Sequence, residues 1–418
     1  MDVTKISTQL INQMNTIANH DLIPIIVRHR KGLFSEAVSF SLATDVISQM
    51  SDKIEAKFKL FSAKVLKATA GEIEALSKKS GVQQIWPDLP VQHWLNTSVP
   101  KINAPKVWRT MGFKGQGIKI AVLDTGIDET HLDFAGRIVA TKSFIGPTAH
   151  DDNGHGTHVA GTIGGSGAMS RGKYVGVAPL ARLYIGKVLR ANGGGKMSSV
   201  MAGIEWAVLE QKVQIINLSL GGVGPCDGTD ALSTLCDEAV LQGNVVMCVA
   251  AGNMGPTLQT IGTPGCARFV ITVGAIDDND RVAYFSSRGP SADGRIKPDI
   301  VFPGVQIIAP RATGTNFGRV MELGYASSDG TSMATPHASG VAALMLQANP
   351  KLSAFQVKTR MIAGGINIGA LPSEQGIGRG DAYRAVKGVS REELSYQEGK
   401  YLPRVTRIFT DFLKYLKF

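Results

Sequence analysis

Cysteine is scarce, with four residues in a chain of 418. That excludes a small fold held by a dense disulfide framework. No run of about 18 apolar residues occurs, so no transmembrane helix is expected. The opening residues, Met-Asp-Val-Thr-Lys-Ile-Ser-Thr-Gln-Leu, lack a basic segment followed by an uninterrupted apolar stretch, so no signal peptide is read there. The chain is then either cytoplasmic or exported with a leader already removed, and export is the preferred reading. Charged residues are 19% against 44% hydrophobic, which excludes global disorder and allows a sizeable core. The 48 glycines follow no collagen-like period and point instead to tight turns and close backbone approaches. Net charge is +10, spread over the whole chain, and does not call for a nucleic-acid partner.

At about 150 residues per domain, the length suggests two to three domains. Residues 1–21 read as an N-terminal extension, helical because Ile6, Leu10, Met14 and Ile17 recur at helical spacing,. Residues 22–97 read as β-α-β-β-α-β, a small ferredoxin-like domain. Its first strand, Leu22–Arg28, contains Pro24 and is expected at an edge. Ile54–Phe61 alternates as a half-buried strand. Thr69 followed by Glu72 predicts a capped helix, and Val82–Trp86 a closing strand. Pro87, Pro90 and Pro100 mark residues 87–103 as a linker, the kind of segment where cleavage concentrates,.

From residue 105 to 385 strands alternate with helices. Ile118–Leu123, Leu183–Leu189, Ile215–Leu220 and Asn244–Ala251 are near-continuous apolar runs, as parallel strands buried on both faces require,. Phe269–Val273 and Ile300–Val301 extend the set. This predicts a doubly wound, mostly parallel α/β sheet with functional groups at the carboxyl ends of its strands.

Four glycine-flanked motifs fall at such places. Asp124 closes a buried strand in Val-Leu-Asp-Thr-Gly. His155 lies in Asn-Gly-His-Gly-Thr-His-Val-Ala-Gly, with His158 three residues on. Ser332 opens a long apolar helix in Asp-Gly-Thr-Ser-Met-Ala-Thr-Pro-His. Asn253 follows a strand in Ala-Ala-Gly-Asn-Met-Gly. Singly, each has an ordinary reading: a turn Asp, a core His, a helix-capping Ser, a left-handed Asn. The two histidines lack the Glu of H-E-x-x-H and any Cys cluster, which speaks against zinc. Together, Asp, His and Ser in that order match one known chain order of a catalytic triad. Ser332 would attack a carbonyl, His155 would carry its proton, and Asp124 would orient the imidazole. Asn253 and the Ser332 N–H would receive the oxyanion. A Rossmann reading fails because Gly115-Gln-Gly117 precedes its strand,.

Over residues 98–385 these blocks resemble the subtilisin-like serine proteases. Lys-Val-Leu, Gly-Val-Ala-Pro, Asn-Leu-Ser-Leu-Gly-Gly and Phe-Ser-Ser-Arg-Gly-Pro fit the same family. The resemblance implies a self-processing serine endopeptidase acting on proteins or peptides. Residues 98–388 would be its catalytic domain. Residues 22–97 would be its inhibitory propeptide, an intramolecular partner, with processing near Trp94 and Leu95. The inactive or permanently self-inhibited homologue, acting as a binding protein, is the rival. Gly193, Gly194 and Gly195 would pair with an extended substrate, while Ser219, Leu220, Gly221 and Gly252 would line the pocket for the residue before the scissile bond. No acidic side chain occurs in these segments, so an apolar or broad preference is expected.

The chemistry needs no cofactor. Asp133 falls where the family has a calcium ligand, but the loop that would complete the site, around Arg171 and Lys173, is basic and lacks the family's Asn-rich stretch,. A structural calcium elsewhere stays open. Cys226 and Cys236 are ten residues apart and could bridge, as could Cys248 with Cys266, and four free thiols are the alternative. Residues 389–418 form a C-terminal extension, with Val405, Ile408, Phe409, Phe412, Leu413 and Leu416 on one face of a basic amphipathic helix,. It is expected to dock on protein rather than a membrane, and the protein to be monomeric.

Overall fold

The computed structural model describes residues 1–16, 18, 20–29, 53–58, 63–88, 97–322 and 324–388. It divides into two units, Met1–Gln92 and His93–Phe418.

In the first unit a four-stranded antiparallel sheet has the order β2-β3-β1-β4. The strands are β1 (Ile23–His29), β2 (Ile54–Phe58), β3 (Ala63–Ala68) and β4 (Val82–Pro87). β1 is central rather than at the edge, pairing with β3 and β4. Pro24 is tolerated because it is only the second residue of the strand, and its carbonyl accepts from Asp88 N–H at 2.8 Å,. The helix Ala70–Ser77 starts at the expected place. The Thr69 hydroxyl accepts from Glu72 N–H, and the Glu72 carboxylate accepts from Thr69 N–H, a reciprocal capping box,. The N-terminal helix is short, Thr8–Met14, capped by Ser7. Ile6 leaves the helical pattern to bridge Ile85, and with Leu10 it joins the core of this unit. A connection between β1 and β2 falls outside the described residues, so the ferredoxin-like reading remains an expectation.

The second unit is built on a seven-stranded parallel sheet of order β11-β10-β9-β8-β5-β7-β6. In chain order these are β5 (Lys119–Asp124), β6 (Ile138–Ser143), β7 (Arg182–Lys187), β8 (Ile215–Leu218), β9 (Val246–Ala250), β10 (Ile271–Ile276) and β11 (Ile300–Pro303). β8, β9, β10 and β11 are buried at every residue, as strands covered on both faces are. β6, an edge strand of part-exposed Ile-Val-Ala-Thr-Lys-Ser, gave no such signal. After β5 the chain first builds β6 and β7 on one side, then crosses to β8 on the other. The switch point therefore lies at the carboxyl end of β5, where open α/β sheets place their sites. The helix Thr331–Ala348 is buried over most of its length and packs on β8 to β11, and the helix His155–Gly164 packs against it. A three-stranded antiparallel sheet, β12 (Ile307–Pro310), β14 (Tyr325–Ser328) and β13 (Arg319–Glu322), completes the unit.

Among the described residues no helix is long and apolar enough to cross a membrane. Trp94 and Leu95, the expected processing point, and residues 389–418, expected to form a basic amphipathic helix, lie outside the described residues.

Candidate active site

Asp124 is the last residue of β5 and fully buried. Its Oδ1 accepts from Thr125 N–H at 2.7 Å and from His155 Nδ1 at 2.6 Å. That bond assigns the proton to Nδ1 and leaves Nε2 with a free lone pair. His155 is the first residue of its helix. Gly154 before it has φ +105°, and a Cβ there would lie 2.6 Å from Phe317 Cβ, so only glycine fits the turn that delivers the imidazole. Burial pulls the His155 pKa down, but the Asp124 charge and hydrogen bond, with a contribution from Asp151, outweigh it and hold the pKa above 6.5. The Phe317 ring stands edge-on to His155, with centroids 5.4 Å apart.

Ser332 is the second residue of its helix. Pro336, four residues on, lacks the N–H that would pair with the Ser332 carbonyl. The Ser219 hydroxyl donates to that carbonyl instead, at 2.8 Å. In return the Ser332 hydroxyl donates to the Ser219 carbonyl at 3.0 Å. The nucleophile is thus parked on Ser219 rather than on the imidazole. A nucleophile–base hydrogen bond is one that commonly tightens only with substrate bound.

Asn253 is exposed, but its orientation is fixed. Its Oδ1 accepts from Thr331 N–H at 2.9 Å and from the Thr331 hydroxyl at 3.0 Å. A backbone N–H can only donate, so the oxygen must face Thr331, and the Nδ2 donors have no hydrogen-bond partner among the described residues,. The Ser332 N–H is a first-turn amide without a hydrogen-bond partner among the described residues,. Two donors and a positive helix terminus are therefore available to an oxyanion.

Gly193, Gly194 and Gly195 are exposed. They form a tight turn in which the Gly194 carbonyl accepts from Arg190 N–H and Gly195 faces Leu189 as an antiparallel pair. Ser219 is buried, Leu220 and Gly252 are half-buried and Gly221 is exposed. His158 is a core residue. Its Nε2 lies 3.0 Å from the carbonyls of Ile307 and Ala326, and burial pushes its pKa down to about 3.

Residues 115–378 match the subtilase family. The chain belongs to that family. It is 36% identical over 368 residues to serine protease AprX of Bacillus subtilis (strain 168), covering 82% of each chain. It is 36% identical over 335 residues to subtilisin E of the same organism, covering 78% of this chain and 81% of that one. Among solved structures, a cold-adapted subtilisin-like serine proteinase superposes with a TM-score of 0.52 at 33% identity, covering 64% of this chain and 88% of the other. The protein is thus a subtilisin-like serine protease with the α/β fold of that family.

Two sequence expectations need correction in this subtilase. The disulfide joins Cys226 to Cys266, not Cys226 to Cys236. Cys236 points into the main core from the helix Ala231–Leu241, while Cys226 and Cys266 meet in a separate small cluster with Ile261. Cys248 is likewise free and buried, and burial pushes its thiol up to about 12. The bridge joins the loop after Gly222 to the loop after Thr263, two segments already linked by Gly222 N–H to Thr263 O at 2.7 Å. Asp133, the candidate calcium ligand, is fully buried, and protein donors occupy its carboxylate. The Tyr325 hydroxyl donates at 2.9 Å and Met169 N–H at 3.1 Å. Among the described residues no group of three or more His, Cys, Asp or Glu could hold a metal. The residues around Asp133 do not fit a calcium ion.

Sequence reasoning missed three groups around the triad. Phe317 comes from a loop far along the chain and carries no local signal. Thr331 stands inside the Gly-Thr-Ser motif, where nothing local marks it as the anchor of Asn253. Asp151 stands four residues before His155, an acidic residue at a helix start, which is a signal that was legible.

Proposed function

We propose that this subtilase hydrolyses peptide bonds through an acyl-enzyme on Ser332 and that it matures by cutting its own linker. The observation that carries the proposal is the junction of β5 and the His155 helix. There the Asp124 carboxylate fixes the Nδ1–H tautomer at 2.6 Å and leaves Nε2 as a base. In the proposed reaction Nε2 takes the Ser332 proton as Oγ attacks the carbonyl carbon. The tetrahedral oxyanion is held by Asn253 Nδ2 and Ser332 N–H. The imidazolium, stabilised by Asp124, then returns the proton to the leaving amine. Water repeats the sequence to release the acid. The substrate would add as a strand along Gly193–Gly195, a main-chain mode that tolerates many sequences.

Residues 22–97 are proposed as the propeptide, acting as a folding aid and then as a product-like inhibitor. The disulfide supports an oxidising compartment, hence export,. Intact mass spectrometry tests self-processing. The wild-type chain is expected to split within residues 90–97, near Trp94 and Leu95, while Ser332→Ala stays at 418 residues. A Ser332→Ala chain split at the same place, prepared free of other proteases, refutes self-processing.

A further inference from the structure

Asp151 lies outside the triad, yet it is fully buried and takes five hydrogen bonds. Its Oδ1 accepts from the Thr125 hydroxyl at 2.8 Å, Asn153 N–H at 3.1 Å and Gly154 N–H at 2.7 Å. Its Oδ2 accepts from Thr157 N–H at 2.8 Å and the Thr157 hydroxyl at 2.6 Å. Four of these donors sit at the start of the helix that carries His155. The fifth, Thr125, is the residue directly after Asp124. The Thr125 hydroxyl in turn accepts from Gly156 N–H at 2.8 Å, and its own N–H holds Asp124 Oδ1. A single carboxylate therefore ties the end of β5 to the helix start, the two elements that must meet for Asp124 to reach His155.

We propose that Asp151 is a positioning residue for the reaction, locking the Asp124–His155 pair in register and placing a second negative charge near the imidazolium. This rests on the reading of His155 as the base. Burial alone would raise the Asp151 pKa, but the hydrogen bonds from Thr157, Gly154 and Thr125 hold it below the ordinary value. The charged and titratable groups around it include Asp124 on β5, buried Asp128, whose N–H donates to the Thr157 hydroxyl, Asp152 next in the chain, His158 one turn along the helix, and Lys187 at the end of β7. The Lys187 ammonium is spent on the Thr125 carbonyl and on Asp152 at 2.6 Å.

The test is the pH profile of kcat/KM, with kcat per phosphonate-titrated site, for Asp151→Asn, Thr125→Val and Thr125→Ser. Asp151→Asn is expected to lower kcat at least tenfold with KM little changed. It should also move the acid limb to lower pH by about 0.5 unit, because an anion that favours imidazolium is gone. Thr125→Val keeps the charge and cuts the tie, so kcat falls about tenfold with the limb in place, and Thr125→Ser restores activity to within about threefold. An Asp151→Asn enzyme with an unmoved limb, or one that loses activity only as its melting temperature falls, overturns the proposal. If the Asn variant does not fold, the Thr125 pair decides: a Thr125→Val enzyme within threefold of wild type overturns it. If the wild-type enzyme shows no turnover and no phosphonate adduct, the failure lies with the underlying reading.

Discussion

The oxyanion donor can be separated from its structural support by two substitutions at one position. Asn253 does two things: Nδ2 is free to donate to the oxyanion, and Oδ1 anchors the first turn of the Ser332 helix through Thr331. Asn253→Asp keeps an oxygen facing Thr331 and replaces the donor with an anion. Asn253→Ala removes both. Loss of the corresponding donor in subtilisin, a relative of this chain, costs about 10²–10³ in kcat, or roughly 2.7–4 kcal/mol. That magnitude is borrowed from the relative. The anchor is worth less, about 1 kcal/mol for an unmade helix-start hydrogen bond. Asn253→Asp is therefore expected to lose at least about 10²-fold in kcat with an unchanged melting temperature, the added charge deepening the loss. Asn253→Ala should lose a similar factor and melt about 2–4 °C lower. Steady-state kinetics on a peptide amide and calorimetry read the two effects separately. An Asn253→Asp enzyme within tenfold of wild type, or one whose loss falls in KM, would refute this assignment.

On the acid side kcat/KM is expected to fall as His155 takes a proton, with a midpoint above 6.5 because Asp124 and Asp151 outweigh burial. Asp124→Asn should lower that midpoint and cost about 10⁴ in kcat, read from a pH–rate profile. Cys226→Ser opens a loop of 40 residues and should cost up to about 4 kcal/mol, seen as a lower melting point that reducing agent does not lower further. Asp299 is the buried carboxylate between Lys297 at 2.8 Å and Lys358 at 3.2 Å. Asp299→Asn removes the counter-charge shared by both buried lysines and, below about pH 7 where Lys297 is protonated, should cost about 3–5 kcal/mol,. Burial pushes Lys297 down to about 7 in spite of Asp299, so between pH 7 and about 10.4 the unfolded chain binds more protons than the folded one. The Lys297 contribution therefore raises stability with pH over that window. The variant should extend the rise to lower pH, which denaturant melts at pH 6, 8 and 10 would report.

The parts of this subtilase legible in the sequence were those written locally. Apolar runs marked β8 and β9 because both faces are buried, and the residue ending such a run, Asp124, was placed by the strand itself. The Thr69–Glu72 box fixed a helix start to the residue. Where tertiary context decides, the reading failed. β6 lies at a sheet edge and carries only weak alternation. β12, β13 and β14 are four-residue strands that pair across a loop. Pro24 argued for an edge strand, yet the strand is central because the proline sits near its start. Disulfide connectivity depends on which loops meet in space, and Cys236 faces the core from a helix. The basic loop around Arg171 and Lys173 already spoke against calcium at Asp133, but Tyr325, 192 residues away, which donates to that carboxylate, left no mark in the sequence. The Ser219–Ser332 exchange was also invisible, although Pro336 within the Ser332 helix signals an orphaned carbonyl at Ser332.

The central claim, peptide-bond hydrolysis through Ser332, is tested most directly by incubating the matured protein with a peptide-amide reporter, with and without a serine-directed organophosphonate, and then measuring intact mass and mapping the adduct. Turnover abolished by the reagent, with one adduct per chain on Ser332, is the expected result. Turnover that survives the phosphonate, or an adduct on another residue, would contradict it.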